Sequence, residues 1–143
     1  MTYEETLHYL YTSIPVFQHS GASAYKPGLG TSIALDDYRG NPHKAYKTIH
    51  VAGTNGKGSV SHLLAAILRQ SGFKVGLYTS PHLVDFRERI RVNGKKISQD
   101  YVVDFVERHR SFFEPLHPSF FELTSSMAFE YFRDQQVDYA VIE

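Results

Sequence analysis

The sequence has 143 residues, 42% hydrophobic and 21% charged, with 15 basic side chains balanced by 15 acidic ones; that is one domain's length, enough to bury a core, without the basic surplus a general nucleic-acid binder uses against phosphates. The absence of cysteine excludes a disulfide scaffold and a thiolate zinc site. No apolar run approaches the ~20 residues of a membrane-spanning helix, and Glu4, Glu5 and His8 stand where a signal peptide would be apolar, so a cytoplasmic protein with no membrane or nucleic-acid partner is expected.

Thr2–Thr12 reads as a helix, with Thr2 and Glu5 at capping-box spacing and Leu7, Leu10 and Tyr11 on one face one turn beyond Tyr3. Ser20 to Gly30 is rich in Gly, Ser and Ala around Pro27 and reads as a loop. A short helix over Ser32–Tyr38 ends at Gly40-Asn41-Pro42. Lys47-Thr-Ile-His-Val-Ala is a β-branched run and reads as a strand, followed by the glycine-rich turn Gly53–Gly58. Ser59–Ser71 reads as a helix with Val60, Leu63, Leu64, Ile67 and Leu68 on its apolar stripe and Gly72 after its end. Lys74–Thr79 is the next strand, so the order is a βαβ unit with two parallel strands.

Arg89–Ile97 suggests a hairpin turning at Asn93-Gly94, a pair suited to a type I′ turn. Gln99–Phe113 and Glu122–Gln135 read as helices, and Val137–Glu143 as a third parallel strand. A parallel sheet usually carries more strands than three and helices on both faces. The expected fold is therefore α/β: a P-loop-type parallel sheet flanked by helices on both faces, preceded by a helical N-terminal lead and cut off within the domain.

The motif that carries chemistry is His50-Val-Ala-Gly-Thr-Asn-Gly-Lys-Gly-Ser59. A glycine-rich turn between strand and helix aims backbone N–H groups at a phosphate. Lys57 supplies charge for the outer phosphates and Ser59 a hydroxyl near the helix start. The candidate ATP-binding residues are Gly53, Thr54, Asn55, Gly56, Lys57, Gly58 and Ser59, with Lys57 the candidate catalytic group. The spacing departs from G-x-x-x-x-G-K-[ST]: the first glycine lies three residues before Gly56, and Gly58 separates Lys57 from Ser59. The plain alternative is a turn that merely packs a helix on a strand.

Gly53-Thr-Asn-Gly-Lys-Gly-Ser59 resembles the ATP-binding loop of the folylpolyglutamate synthase and dihydrofolate synthase family, within the wider group of Mur ligases. The cell-wall ligases of that group carry Ser or Thr directly after the lysine, so Gly58 favours the folate branch. Four further segments match in order: Tyr25-Lys-Pro-Gly-Leu-Gly30; Tyr78-Thr-Ser-Pro-His-Leu83 with Glu88-Arg-Ile-Arg-Val-Asn-Gly94; Phe121-Glu-Leu-Thr124 with Met127-Ala-Phe129; and Val137–Glu143. Ser126 departs from the family, where a smaller residue, commonly alanine, precedes the methionine.

The resemblance implies an ATP- and Mg²⁺-dependent ligase. Such an enzyme converts a folate or dihydropteroate carboxylate to an acyl phosphate, which the amine of L-glutamate attacks. By the same resemblance Ser80 and Glu143 match two metal ligands, and Ser119, Phe120, Phe121, Glu122, Pro81 and His82 match contacts on the pterin side. Both metal candidates end predicted strands, the edge where open α/β sheets bind ligands. Residues 1–143 then correspond to an N-terminal ATP-binding domain of the Mur-ligase central type, incomplete at its C-terminus and inactive alone. The third metal ligand and the glutamate-binding domain lie beyond, and the parent is expected to be a monomer. Phe120 and Phe121 read equally as core, and Glu122 as a helix-start acid. His50 and His82 read as phosphate or substrate contacts, or as structural histidines. The basic group Arg87, Arg89, Arg91, Lys95 and Lys96 reads as a solvated hairpin or as a lure for anionic folate. Two rival functions remain: a cell-wall amino-acid ligase, and a non-catalytic ATP-binding module.

Overall fold

The computed structural model describes residues 1–14 and 28–143; most of the expected Ser20–Gly30 loop, including Tyr25, Lys26 and Pro27, lies outside them. In chain order the helices and strands are α1 (Tyr3–Ser13), α2 (Gly30–Tyr38), β1 (Lys47–His50), α3 (Lys57–Gln70), β2 (Val75–Tyr78), β3 (Ile90–Val92), β4 (Lys95–Lys96), α4 (Gln99–Phe113), α5 (Phe120–Asp134) and β5 (Tyr139–Ile142). They form two compact units, one of residues 1–40 and 99–127, the other of residues 41–98 and 128–143, with α5 shared between them.

The first unit is helical. Thr2 caps α1 by accepting from the Glu5 amide at 3.1 Å. Leu10 is fully buried, while Tyr3, Leu7 and Tyr11 are half-buried. The Tyr11 ring stacks on Phe120, with centroids 5.3 Å apart. α4 buries Val102, Phe105, Val106, His109 and Phe113, the i, i+3, i+4, i+7 spacing of an amphipathic helix. Arg39 is buried here and fully engaged. Its Nε donates to the Leu35 carbonyl at 3.1 Å, its Nη1 to the Ser126 carbonyl at 2.9 Å, and its Nη2 to the Ser126 hydroxyl. Ser126, the residue that departs from the family pattern, is thus an acceptor for a buried guanidinium, a role alanine could fill only through its backbone.

The second unit is a five-stranded sheet in the order β1-β5-β2-β3-β4. β1, β5 and β2 are parallel, and β2–β3 and β3–β4 are antiparallel. The sheet is therefore mixed, where a parallel one was expected. The Asn93-Gly94 hairpin does form, with φ of 49° and 81° at the two turn residues, and its first strand continues the sheet beyond β2. The expected βαβ unit is present with β5 between its two strands.

α3 packs on one face of this sheet: Leu64, Ala65 and Leu68 lie against Val75, Leu77 and Val141. The stripe differs from the expected one. With Ser61 fully buried, the contact row is 61, 64, 65, 68, so Val60, Leu63 and Ile67 remain 48%, 62% and 53% exposed. The helix starts at Lys57, two residues before the expected start, because the αL conformation of Gly56 (φ 73°) turns the chain directly into it. On the opposite sheet face, Gly76 alternates with Val75 and Leu77, and the ring of Phe132 from α5 fills the space above it. Helices thus cover both faces of the sheet, as expected.

Candidate functional site at the C-terminal edge of the sheet

Three strand ends are tied together by backbone hydrogen bonds. The Val51 amide, just past β1, donates to the Ile142 carbonyl at 2.7 Å. The Glu143 amide donates to the Tyr78 carbonyl at 3.0 Å, and the Thr79 amide to the Arg89 carbonyl at 3.0 Å. The loops leaving β1 and β2 and the residue ending β5 therefore share one sheet edge. Residues 53–59, 80–82 and 143 belong to it.

The loop after β1 is exposed from Gly53 through Gly56, including Thr54 and Asn55. Gly53 (φ 149°) and Gly56 (φ 73°) hold backbone angles that L side chains rarely adopt. Gly56 is the N-cap of α3 and brings no side chain to it, which leaves the first-turn amides oriented toward the loop's mouth. Lys57 is the first residue of that turn and is half-buried, as is Gly58; Ser59 is exposed. A Cβ on Gly58 would stand 3.9 Å from Oε2 of Glu143. The glutamate carboxylate thus reaches the residue beside Lys57, and a strand end far along the chain adjoins the glycine loop.

Ser80 is half-buried directly after β2, and a cis bond joins it to the exposed Pro81. Beyond them the chain is pinned by one carboxylate: Glu88 accepts from the amides of Leu83 (3.0 Å), Val84 (3.2 Å) and Asp85 (2.9 Å). The Asp85 and Leu83 amides hold its carboxyl below the usual range. Asp85 completes a capping box by accepting from the Arg87 amide at 3.0 Å. Burial works to raise the Asp85 carboxyl, yet the Arg87 amide and the Arg87 and Lys96 charges outweigh it, and its pKa is lowered. His82 is half-buried; Arg89 Nε donates to its Nδ1 at 2.7 Å, and its ring meets Phe86 edge-on. Burial, followed by the Arg89 charge, pulls the ring below the ordinary imidazole range. His50, at the exposed end of β1, is on the same edge.

The basic side chains of the hairpin are largely tied to their own segment. Arg87 pairs with Asp85 at 3.2 Å and donates to the Ile97 carbonyl, Lys96 lies 3.5 Å from Asp85, Arg91 donates to the Glu88 carbonyl, and Arg89 is buried. The sequence signal for this loop is the capping-box spacing of Asp85-x-x-Glu88, which the basic residues around it obscure.

The remaining candidates lie in the helical unit. Ser119 and Glu122 form a reciprocal capping box: the Ser119 amide donates to Glu122 Oε1 at 2.8 Å and the Glu122 amide to Ser119 Oγ at 3.1 Å. Phe120 is 4% exposed and stacked on Tyr11, whereas Phe121 is 52% exposed. Of the two aromatic candidates, Phe121 is the exposed one.

A glycine loop that opens directly into a helix, with a lysine in its first turn and a mixed α/β sheet behind it, places the chain among the phosphate-loop α/β proteins. No protein-family model matches it. It is 38% identical over 125 residues to the dihydrofolate synthase/folylpolyglutamate synthase of Bacillus subtilis, covering 82% of this chain and 29% of that protein. It is 37% identical to the folylpolyglutamate synthase of Lacticaseibacillus casei, covering 100% of this chain and 33% of that protein. Among solved structures, the folylpolyglutamate synthase of Thermotoga maritima superposes with a TM-score of 0.86 at 45% identity, over 99% of this chain and 32% of that one. A folylpolyglutamate synthase complex with AMPPCP and folate superposes at 0.84 and 35% identity, over 100% of this chain and 35% of that one. The chain is thus similar to folylpolyglutamate and dihydrofolate synthases and matches the N-terminal part of these proteins, spanning about a third of their length.

Proposed function

We propose that the protein carrying this chain is an ATP-dependent ligase that adds L-glutamate to a folate or dihydropteroate. The observation that carries the reading is the meeting of a lysine-bearing phosphate loop with Glu143 and the Ser80 loop at one sheet edge. In this reading the amides of the first turn of α3 and the Lys57 ammonium hold the outer phosphates of ATP. A substrate carboxylate oxygen attacks the terminal phosphorus, the bond to the leaving ADP oxygen breaks, and an acyl phosphate forms. The glutamate amine then attacks the acyl carbon, and inorganic phosphate departs. Positioning and charge compensation dominate such a transfer.

The residues present fit a magnesium ion. Ser80 and Glu143 offer a hydroxyl and a carboxylate, hard oxygens of the kind Mg²⁺ takes in ones and twos while keeping waters and phosphate oxygens. The described residues contain no cluster of three or more His, Cys, Asp or Glu side chains that would favour a different metal. The ion, held by Ser80 and Glu143, would neutralise charge on the phosphates. Of the pterin-side candidates, Pro81 and His82 lie in the sheet unit, and in the helical unit Phe121 is the exposed aromatic residue, on a helix end fixed by Ser119 and Glu122. The glutamate site and a further metal ligand belong to the rest of a monomeric, cytoplasmic parent, so residues 1–143 alone are expected to be inactive.

The test is incorporation of labelled glutamate by the full-length protein with ATP and Mg²⁺, offered dihydropteroate and tetrahydrofolate separately. Label in either product supports the reading and names the substrate. Label in neither, with ATP binding intact, overturns it in favour of a cell-wall ligase or a non-catalytic module.

A further inference from the structure

The loop after β2 contains an interaction that the proposed chemistry does not use. Arg89 is buried to 6% exposure. Its position is fixed by the strand it precedes, since its carbonyl accepts from the Thr79 amide at 3.0 Å. From there its Nε, which bears a proton and has no lone pair to offer, lies 2.7 Å from His82 Nδ1. We infer that Arg89 is a positioning residue that locks His82 into the tautomer with a bare Nδ1 and a proton on Nε2, so that His82 meets substrate oxygens as a neutral N–H donor.

The inventory of donors and acceptors fixes this assignment. A guanidinium is donor-only on every nitrogen, so the atom it meets at hydrogen-bond distance must supply a lone pair. On a neutral imidazole, committing Nδ1 as acceptor leaves the proton on Nε2. The ring cannot pivot freely, because Phe86, fully buried, stands edge-on against it with centroids 6.2 Å apart. The backbone on its C-terminal side is held as well, by the Glu88 carboxylate on the amides of residues 83, 84 and 85. Loop, ring and tautomer are therefore all set before any ligand arrives, which is the preorganisation that makes a single donor count.

Two consequences distinguish this from a merely structural histidine. With Nδ1 occupied by Arg89, His82 does not abstract a proton or ligate a metal through that atom. With Nε2 protonated, its ligand is an acceptor oxygen: a carboxylate or carbonyl of the substrate, or a phosphate oxygen. The second consequence rests on the ligase reading; the tautomer does not.

The experiment separates the two. In the full-length protein labelled with ¹⁵N-histidine, the His82 ring, assigned by its loss in His82→Gln, is expected to give a proton-bearing Nε2 and a bare Nδ1. In Arg89→Met the two nitrogens are expected to move toward an averaged pair. A proton on Nδ1 in the wild type, or an unchanged pattern in Arg89→Met, overturns the inference. If Arg89→Met does not fold, the wild-type pattern still decides the tautomer and the paired His82 variants decide the role. His82→Gln puts an amide N–H near the place of Nε2, and His82→Asn puts it near Nδ1, so Asn is expected to raise the substrate KM by about tenfold or more, as for loss of a hydrogen bond to a charged acceptor, and Gln to raise it several-fold less. Equal behaviour of the two variants overturns the donor role. No glutamate incorporation by the wild type sinks the ligase reading and leaves the tautomer result standing.

Discussion

An alanine methyl at position 76 would lie 2.6–2.8 Å from three carbons of the Phe132 ring, closer than side-chain carbons approach one another. Both neighbours are rigid, a central strand below and a packed ring above, so neither yields cheaply. Gly76→Ala is expected to cost about 1–3 kcal/mol, the usual penalty of overpacking, read as a lower urea midpoint. Ser61 makes the opposite case. Its hydroxyl is fully buried in the face of α3 against the sheet and is left without a hydrogen-bond partner, so Ser61→Ala is expected to be neutral or to stabilise by about 1 kcal/mol in the same titration. Lys57 is half-buried at the mouth of the loop; Lys57→Ala is expected to weaken ATP binding by about 10- to 100-fold, as for loss of a charged donor, with the melting temperature of the free protein unchanged. Calorimetric titration checks the first part and thermal melting the second. Such single residues were legible in the sequence in unequal degree. Lys57 announces itself through its neighbours, but Gly76 lies in an ordinary strand pattern, and its reason is a ring so far along the chain that no local window contains both.

The elements were more legible where their own periodicity decided them. α4 begins and ends where its apolar spacing places it, and the Asn93-Gly94 turn forms as its chemistry requires. α3 shows the limit of that logic. Two overlapping apolar rows run along it, and the sheet, not the helix, chose the row with Ser61, Leu64, Ala65 and Leu68. At α5 the residues expected to touch substrate double as a helix start. Ser119→Ala or Glu122→Ala removes half of a capping box, and each is expected to cost about 1 kcal/mol in chemical denaturation, an effect to be subtracted before either residue is given a role in binding. The Glu88 loop carries a pH signature. Its folded carboxyl pKa is depressed, so its contribution is complete above the unfolded carboxyl value and is lost as pH falls through the folded one. Amide exchange at Leu83, Val84 and Asp85 is expected to accelerate, relative to other protected amides, in that acid window below the ordinary glutamate range, and Glu88→Gln to abolish the dependence.

Over the whole chain the formal charge cancels, 15 against 15, while at the hairpin Asp85 pairs with both Arg87 and Lys96 and offsets part of the basic group. The protein is accordingly expected to leave a heparin column at low salt, below the ionic strength that releases proteins with open basic grooves. The pairing at the hairpin was not legible from the run of basic residues, because it depends on Asp85 being folded back against Lys96. The class of the fold was legible, since strand, glycine loop and helix follow one another locally. The lane each strand occupies was not, since lanes are assigned by pairing across the chain.

Tyr139 is the register partner of both Lys47 and Val75. During synthesis, β1 and β2 therefore leave the ribosome as two strands that do not pair with each other, and the lane between them stays open until the residues around Tyr139 emerge. The early βαβ segment cannot mature as a local unit, and the native contacts it awaits are among the longest in sequence, which makes the sheet's closure slow. Throughout that interval the apolar strand β2 has an unpaired edge, the kind of surface on which nascent chains aggregate or recruit chaperones.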